Sequence, residues 1–353
     1  MDLDGWRKEI DRIDSQIVEL LNDRAQAVIE IAKIKRAEKH EFYAAHREQQ
    51  VYEKVLSESR GVLPDKGLKA VYREIMSASL SLEKPLKVVY LGPPASFTHL
   101  ASTKKFGSSV DYAWAKSPAE VFIEVEKERA DYGVVPIENS TEGIVSHTLD
   151  IFVNSDLKIC AEITLDVVHN LLSKGEMKEI KRLYSHPQAI AQTRNWLRSN
   201  LPHAEVLEVF STARAAELAA EDKEAAAIAS TLAAEMYNLN MLHEHIEDNA
   251  NNVTRFLVIG KSYSKPTGRD KTSIMFSVED KVGALHDTLI IFARHRINLT
   301  SIESRPTRRR PWEYLFFIDL EGHPEDAHVD AALKELKSKC QLVKILGAYP
   351  AAD

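Results

Sequence analysis

The sequence predicts a multidomain protein in which an all-α segment is followed by an α/β segment and then by an α+β segment. Over residues 6–39, apolar residues recur at helical spacing without proline or glycine, which indicates one long helix. After Pro85, short apolar runs alternate with helical stretches, as is typical of an α/β architecture. The last segment has the order βαββαβ, which defines a ferredoxin-like unit. We therefore expect domains at residues 1–84, 86–262 and 272–353, with a linker at Ser262–Lys271.

The composition argues against several classes of protein. The 353 residues carry a formal net charge of -7, which argues against nucleic-acid binding, and the one basic run, Arg308–Arg310, is expected at an exposed hairpin tip. No apolar run reaches the roughly 20 residues that a membrane span needs, and the charged N-terminus has no signal-peptide core. Cys160 and Cys340 have no paired spacing, so we expect a cytoplasmic protein without a structural zinc site.

Cofactor motifs are also missing from the sequence. There is no GxGxxG fingerprint and no phosphate-binding loop, which argues against nicotinamide and ATP chemistry. His243 and His245 have i, i+2 spacing, which points their imidazoles to different sides of a helix, and no third ligand lies nearby. We therefore expect neither a cofactor nor a metal ion.

The first segment is expected to form helices over about residues 6–39, 44–59 and 68–82. Arg24 and Lys35 are 11 residues apart, close to three helical turns, so they share a face of the first helix. Arg7 precedes Arg24 by 17 residues, which places it about 25 Å away along the axis and about 100° round it. Arg7 cannot join a small site with Arg24 on one helix, but Arg7 of an antiparallel partner chain could.

Further polar residues lie on the other two helices. Ser79 and Glu83 share a face of the third helix at i and i+4, and Arg47 and Glu48 open the second helix. One interpretation is a helical dimer whose charges are solvated. The other is a pocket in which inward-facing cations bind a dicarboxylate.

Together with the run Arg73–Ser79, these residues resemble the all-helical chorismate mutase family. The resemblance implies an intertwined homodimer in which each site takes one arginine from the other chain, and Arg7 matches that arginine. It implies the rearrangement of chorismate to prephenate, in which the enzyme holds a flexible dianion in its compact conformer and stabilises charge on the ether oxygen. The substrate-binding residues that it implies are Arg7, Arg24, Lys35, Arg47, Glu48, Ser79 and Glu83.

The resemblance also implies individual roles. The three arginines would clamp carboxylates as bidentate forks, Lys35 would donate to the ether oxygen, and Glu48 would accept from the ring hydroxyl. Glu83 stands where many members have a glutamine that donates to the ether oxygen, and an ionised carboxylate cannot donate. We hypothesise that burial keeps Glu83 protonated. Ala44 stands where some members have an aspartate, so we expect that polar contact to be absent.

Five polar loops in the middle segment lie at the ends of predicted strands and helices, where binding residues are often held. Each loop taken alone is more typical of a helix N-cap or a strand edge. In their order along the chain, however, the five loops resemble prephenate dehydratase, a family with two α/β lobes like those of periplasmic binding proteins. The loops are Gly92–His99 (GPPASFTH), Pro136–Gly143 (PIENSTEG), Tyr184–Gln192 (YSHPQAIAQ), Phe210–Ala216 (FSTARAA) and Asn251–Gly260 (NNVTRFLVIG).

This second resemblance implies that prephenate loses CO2 and its ring hydroxyl to give phenylpyruvate. Hydroxide leaves poorly and needs a proton or a strong hydrogen bond, and the resemblance places Thr254 closest to this role, as a donor within a network. His186 is an alternative general acid or else a structural residue. Ala95-Ser96 stands where Gly-Thr is common in the family, and because Ser96 keeps the hydroxyl, we expect little effect. The other implied substrate-binding residues are Ser96, Glu138, Asn139, Ser140, Ser185, His186, Gln192, Ser211, Thr212, Arg255 and Phe256.

The last segment contains two motifs that resemble the ACT regulatory domain. In that family the two motifs bind phenylalanine between paired domains, and glycine allows the backbone at Gly283 to approach a ligand. The resemblance implies feedback inhibition by phenylalanine; the alternative is an oligomerisation module without a ligand. The motif residues are Gly283, Ala284 and Leu285, and then Glu303, Ser304, Arg305 and Pro306.

Taken together, the three resemblances imply a bifunctional chorismate mutase–prephenate dehydratase that acts in phenylalanine biosynthesis. Its partners would be chorismate, prephenate and the effector phenylalanine, with no nucleic acid and no membrane, in a homodimer or a higher homo-oligomer. Two alternatives stay open: an arogenate dehydratase, and a non-catalytic binding protein that responds to an amino acid.

Overall fold

The computed structural model describes residues 2–38, 43–141, 143–249, 251–279, 281–306 and 314–352. The basic run Arg308–Arg310, which we expect at a hairpin tip, lies outside the described residues. The chain divides into two compact units. One comprises Met1–Leu86 and Phe106–Asp111, and the other comprises Lys87–Lys105 and Tyr112–Asp353.

The first unit is built on three helices, α1 (Leu3–Glu38), α2 (Ala45–Glu58) and α3 (Asp65–Glu83). The 36 residues of α1 confirm the expected long helix, and α3 packs against both α1 and α2. Within the described chain, the buried residues of α1 are Val28 and Ala32. Most of its apolar stripe is therefore exposed. The exposed members are Trp6, Ile10, Ile13, Ile17, Val18, Leu20, Leu21, Ile31 and Ile34.

The second unit combines strands and helices. Its strands are β1 (Lys87–Leu91), β2 (Asp111–Ala115), β3 (Tyr132–Asn139), β4 (Gly143–Ile144), β5 (Lys158–Asp166), β6 (Asn170–Ser173), β7 (Arg182–Ser185), β8 (Glu205–Glu208), β9 (Ala225–Ala229), β10 (Asn240–His243), β11 (Val253–Gly260), β12 (Asp270–Ser277), β13 (Leu299–Pro306), β14 (Tyr314–Glu321) and β15 (Leu342–Pro350). Its helices are α4 (Phe97–Phe106), α5 (Pro118–Glu126), α6 (Ser146–Phe152), α7 (Pro187–Gln192), α8 (Arg194–Asn200), α9 (Thr212–Ala220), α10 (Thr231–Tyr237), α11 (Ala284–Arg294) and α12 (Ala327–Lys339).

Strand β11 lies between β3 and β5 in the sheet of the first lobe and runs antiparallel to both. Its last five residues are buried, as the apolar run Phe256–Ile259 predicts. The strand order of this lobe is β5-β11-β3-β1-β2, and β4 pairs with β3. The second lobe has its own sheet, in the order β10-β6-β9-β7-β8. The expected two-lobed α/β architecture is therefore confirmed.

The last segment, from β12 to β15 with α11 and α12, confirms the expected βαββαβ order. Its strands lie in the order β13-β14-β12-β15, and β15 then pairs in parallel with β5 of the first lobe at Gly347 and Ile159. A Cβ at Gly347 would collide with the carbonyl oxygen of Ile159, so this close approach needs glycine. The first lobe and the ferredoxin-like unit consequently share one continuous sheet.

The prediction of a single helix over Pro187–Arg198 is wrong, because the helix is interrupted at Thr193. There the backbone has φ -121° and ψ 12°, and the Thr193 hydroxyl donates to the carbonyl oxygen of Ala189 at 2.8 Å. A threonine side chain that bonds the backbone in this way competes with continued helix. The break ends α7 at Gln192.

Candidate active sites

The helical unit brings together four of the seven residues expected to bind chorismate. The guanidinium of Arg24 on α1 donates to the hydroxyl of Ser79 on α3. Further along, the Lys35 ammonium lies 2.6 Å from Oε2 of Glu83. Ser79 and Glu83 are both buried. The pairing of α1 with α3 therefore aligns two cations of the predicted pocket with the two polar residues of α3.

The other three expected residues make different contacts. Glu48 on α2 accepts a hydrogen bond from the Tyr43 hydroxyl at 2.8 Å, and Arg47 is exposed and donates to Gln50 at 3.2 Å. Arg7 is exposed as well, and it forms an ion pair with Asp4, one turn earlier on α1. This placement agrees with the expectation that Arg7 cannot reach Arg24 on the same helix.

The Ala44 position has a simple structural meaning. Ala44 is the N-cap of α2 and makes no side-chain capping bond. An aspartate at this position would accept from a free backbone N–H of the first turn. The contact that is absent with alanine at this position is thus a capping hydrogen bond. That bond would stabilise the start of α2, the helix that carries Arg47 and Glu48.

In the second unit, Thr254 lies opposite Asn139, the last residue of β3. The Asn139 amide nitrogen donates to the Thr254 hydroxyl oxygen at 2.8 Å and to Oδ1 of Asn252 at 2.8 Å. Asn139 Oδ1 in turn accepts from the backbone N–H of Thr141 at 3.0 Å and from its hydroxyl at 2.6 Å. Thr254 therefore sits at one end of an ordered polar network.

The second lobe adds the next members of this network. Gln192, at the end of α7, accepts from the Asn252 amide at 2.9 Å and donates to the Thr141 hydroxyl at 3.1 Å. Its Oε1 also lies 2.8 Å from Nε2 of His169. Burial lowers the pKa of His169, although its bond with Gln192 opposes the shift, so its ring is neutral at pH 7. Among the described residues, Nδ1 of His169 has no hydrogen-bond partner.

The network thus combines three expected residues, Thr254, Asn139 and Gln192, with three that sequence reasoning did not select. Asn252 and Thr141 lie within two of the five polar loops, so the sequence motifs could have indicated both residues. His169 has no such signal, because it lies outside the five loops and its role depends on contact with Gln192.

Arg255 and Glu138 occupy the opposite face of the sheet from Thr254 and Asn139. Neighbouring residues of a strand point to opposite faces, and Arg255 is opposite Glu138 in the β11–β3 pairing. The Arg255 guanidinium lies 2.7 Å from Glu162 and 2.6 Å from Asp319, and it donates to the Tyr349 hydroxyl at 2.8 Å. These partners lie on β5, β14 and β15. The guanidinium is therefore engaged with the C-terminal strands.

The charges around Arg255 are mutually compensated. Burial alone lowers the pKa of Arg255, but the neighbouring Tyr349, Asp319 and Glu162 raise it overall, so the group stays charged. Burial likewise works to raise the pKa of Glu162, and Arg255 and Lys271 bring it below the usual value. Lys271 lies 2.9 Å from the second oxygen of Glu162. The cluster is a buried ionic network.

Most of the remaining expected dehydratase residues form hydrogen bonds with the backbone. The Ser96 hydroxyl accepts from the backbone N–H of His99, three residues on, and Nδ1 of His186 caps α7 by accepting from the backbone of Gln188. Ser211 caps α9 through the backbone of Arg214, and Thr212 is the first residue of α9. Ser140 donates to the backbone of Asn251, Ser185 donates to the backbone of Ile228, and Phe256 is buried.

Ala95, in the first of the five loops, has φ 65°. This left-handed conformation is unfavourable for residues other than glycine by about 1 kcal/mol or more. It gives a physical reason for the glycine that is common at this position. The methyl group of Ala95 is fully buried among alanines of the second lobe, so packing offsets part of the backbone cost.

The expected effector residues lie on two elements of the ferredoxin-like unit. Gly283 has φ 83° and is the N-cap of α11, whose first two residues are Ala284 and Leu285. Along β13, burial alternates residue by residue. Arg305 pairs with Asp150 of α6 at 3.2 Å, whereas Ser304 and Pro306 are exposed. Glu303 lines a cavity of about 30 Å³ that Arg255 and Glu138 also line, with room for about one water molecule.

No helix in the part of the chain that the structure describes is long and apolar enough to cross a membrane. Over the same residues, no group of three or more histidine, cysteine, aspartate or glutamate side chains is placed to hold a metal ion.

Known families match the three segments in order. The family model for chorismate mutase type II matches residues 6–84, that for prephenate dehydratase matches residues 88–264, and that for the ACT domain matches residues 272–338. A bifunctional chorismate mutase/prephenate dehydratase from Aquifex aeolicus is 50% identical over 356 residues, which cover 99% of this chain and 98% of that protein.

Solved structures resemble the second unit. A prephenate dehydratase from Arthrobacter aurescens in complex with L-Phe is 36% identical with a TM-score of 0.71, and the match covers 76% of this chain and 91% of that chain. A structure described as a novel type of quorum-quenching acylase is 30% identical with a TM-score of 0.70, over 75% of this chain and 98% of that one.

Proposed function

The chain belongs to the family of bifunctional chorismate mutase/prephenate dehydratases, and from that premise we propose how its residues divide the two reactions. The enzyme rearranges chorismate to prephenate and then decarboxylates and dehydrates prephenate to phenylpyruvate. The helical unit carries the first reaction, and the two α/β lobes carry the second. Neither a non-catalytic binding protein nor an arogenate dehydratase is favoured, since the matched families and relatives are named for the two enzymes.

In the mutase site, the cations of α1 bind the substrate dianion and hold it in its reactive conformer. Arg24 is anchored by Ser79, so its guanidinium is positioned before the substrate arrives, which lowers the entropic cost of binding. Lys35 and Glu83 converge within 2.6 Å of each other. The Lys35 ammonium donates to the ether oxygen, where charge builds as the bond breaks. Glu83 accepts from that ammonium and holds it in place.

A second copy of the chain completes this site. The apolar stripe of α1 is exposed over most of the helix, and an apolar face of this length is normally covered in a soluble protein. An antiparallel α1 of the partner would cover the stripe and bring the partner subunit's Arg7 to Arg24. The active form is thus at least a homodimer, and neither reaction uses a cofactor.

In the dehydratase site, Thr254 assists the departure of the ring hydroxyl. One observation carries this assignment: the Thr254 oxygen accepts from Asn139 at 2.8 Å, while its O–H has no acceptor among the described residues. A hydroxyl has a single donor hydrogen. That hydrogen is therefore left for the leaving hydroxyl of prephenate. Since an alcohol is a weak acid, Thr254 acts as a hydrogen-bond donor, and aromatisation drives the reaction.

Substituting Thr254 tests this role. Thr254→Val keeps the shape of the side chain and removes the hydroxyl, and we expect kcat for phenylpyruvate formation to fall by about 100-fold or more, as when one oxyanion donor is lost. Thr254→Ser should retain most of the activity. Conversion of chorismate to prephenate by the same preparations is the internal control and should be unchanged. Equal dehydratase rates in the two variants would remove Thr254 from the mechanism.

Phenylalanine regulates the dehydratase from the C-terminal domain. The support for this proposal is the match to the ACT domain, the positive φ of Gly283 at the start of α11, and the shared sheet that joins β15 to β5. We expect calorimetry to detect phenylalanine binding, and Gly283→Val to abolish it because a β-branched residue is strained at positive φ. Absence of binding to the unaltered protein would refute the proposal.

The enzyme functions in the cytoplasm. Its two cysteines, Cys160 and Cys340, form no disulfide among the described residues, which fits a reducing compartment.

A further inference from the structure

The donor directions around Thr254 are fixed by a single backbone group. The backbone N–H of Thr141 can only donate, and it lies 3.0 Å from one end of the Asn139 amide. That end must be the oxygen, Oδ1. The nitrogen of Asn139 consequently faces Thr254 and Asn252, and it donates to both.

The next two amides, those of Asn252 and Gln192, are oriented in the same way. Asn252 accepts from Asn139 through Oδ1, so its own nitrogen donates to Gln192 at 2.9 Å. Gln192 therefore presents its oxygen to Asn252, and its nitrogen faces the Thr141 hydroxyl at 3.1 Å. Since that hydroxyl accepts from Gln192, its single hydrogen is free to donate to Asn139 at 2.6 Å. Every bond in the set agrees with this assignment.

The tautomer of His169 follows as well. Its Nε2 lies 2.8 Å from the Gln192 oxygen, which cannot donate, so Nε2 must carry the hydrogen. The other ring nitrogen, Nδ1, is then a bare acceptor. It is buried and has no partner among the described residues, which fits a neutral imidazole.

The result is a chain of hydrogen bonds that all point the same way. His169 donates to Gln192, Gln192 to Thr141, Thr141 to Asn139 and Asn139 to Thr254. In such a chain each bond polarises the next. The last oxygen, that of Thr254, is thereby held as an acceptor on one side. The Thr254 O–H therefore points away from Asn139, and the polarisation makes it a stronger hydrogen-bond donor.

We propose that Thr141 and His169 are positioning residues for the dehydratase reaction, which act through Gln192 and Asn139 to aim the Thr254 hydroxyl at the leaving group. Neither residue needs to touch prephenate. This inference rests on the proposed role of Thr254. It assigns a function to a histidine outside the five polar loops and to a threonine within one of them.

Paired substitutions test the proposal. Thr141→Val removes the hydroxyl and keeps the side-chain shape, whereas Thr141→Ser keeps the hydroxyl. We expect Thr141→Val to lower kcat with prephenate by about five- to tenfold, the effect of one hydrogen bond, with KM unchanged, and Thr141→Ser to stay within about twofold of the unaltered enzyme. His169→Phe should behave like Thr141→Val. His169→Gln, whose amide nitrogen can replace Nε2, should retain most of the rate.

Thr103→Val is the matched control, because among the described residues the Thr103 hydroxyl bonds only within α4, to the carbonyl oxygen of Leu100 at 3.0 Å. It should leave kcat unchanged. An unchanged kcat in Thr141→Val, or an equal loss in Thr141→Val and Thr141→Ser, would overturn the proposal. A rise in KM at constant kcat would instead place Thr141 in contact with the substrate and would also overturn it. The role of Thr254 is tested separately, because an unchanged kcat in Thr254→Val would contradict that role whatever the Thr141 variants show.

Discussion

The proposed sharing of Arg7 between two chains leads to a quantitative prediction. Arg7 and Arg24 lie on one helix of 36 residues, with about 25 Å between them along its axis. One chain therefore cannot supply both residues to one chorismate molecule. If the partner subunit's Arg7 completes the site, variants that lack different arginines should complement each other when they assemble together.

The perturbation is the co-expression of Arg7→Ala and Arg24→Ala chains in equal amounts. Each variant alone should lose at least about tenfold in mutase kcat/KM, because a charge-assisted hydrogen bond to a carboxylate is removed. In the mixture, a site is intact when its own chain keeps Arg24 and the other chain keeps Arg7. Each condition holds for half of the chains, so roughly a quarter of the sites are restored in a symmetric assembly.

The assay is the rate of chorismate loss by the purified mixture, compared with the two variants expressed separately. Phenylpyruvate formation from added prephenate is the control, because neither arginine lies in the dehydratase unit. If both arginines served one site in one chain, no combination would restore a site. A mixture no more active than the separate variants would therefore refute the shared site.

Two further predictions concern buried charges. Glu83→Gln keeps a side chain that can donate to the ether oxygen and should retain most of the mutase rate, whereas Glu83→Ala leaves the Lys35 ammonium without its partner and should lower kcat by about tenfold; equal rates in the two variants would contradict a role for Glu83. Asp319→Ala leaves Arg255 without one of its buried carboxylates and should lower the free energy of unfolding by about 3 kcal/mol in urea titrations. Glu321→Ala, on the same strand but exposed, should change it by no more than about 0.5 kcal/mol, and an equal effect of the two would contradict the ionic network.

Much of the dehydratase site could be predicted from the sequence because its residues lie in short polar loops at strand ends. Thr254 and Asn139 were both expected, and strand pairing places them opposite each other. Gln192 is also among the predicted residues, although the predicted helix, Pro187–Arg198, is longer than α7. The break after Gln192 depends on a hydrogen bond from Thr193 to the backbone, which leaves no signal in the apolar pattern.

The remainder depends on contacts between distant parts of the chain. Arg255 follows Thr254 in sequence, and the resemblance assigns Thr254 to the departure of hydroxide and Arg255 to substrate binding. The structure directs them to opposite faces, and which face receives Arg255 is decided by Asp319 and Tyr349, which lie 64 and 94 residues away. His169 is likewise recognisable only once its bond with Gln192 is seen. Local patterns contain no information about such pairings.

The two networks on β11 also show how the C-terminal domain could act on the reaction. A ligand changes an activity only if it contacts two states of the protein differently, so an effector needs a physical connection to Thr254. Arg255 is joined to Thr254 by one peptide bond and is held by Asp319 and Tyr349 of the C-terminal strands. The pairing of β11 with β3 is irregular just after Arg255, and such irregularities re-aim side chains. A shift of β14 or β15 would therefore move Arg255 first. Arg255 is the neighbour of Thr254, whose hydroxyl assists the reaction.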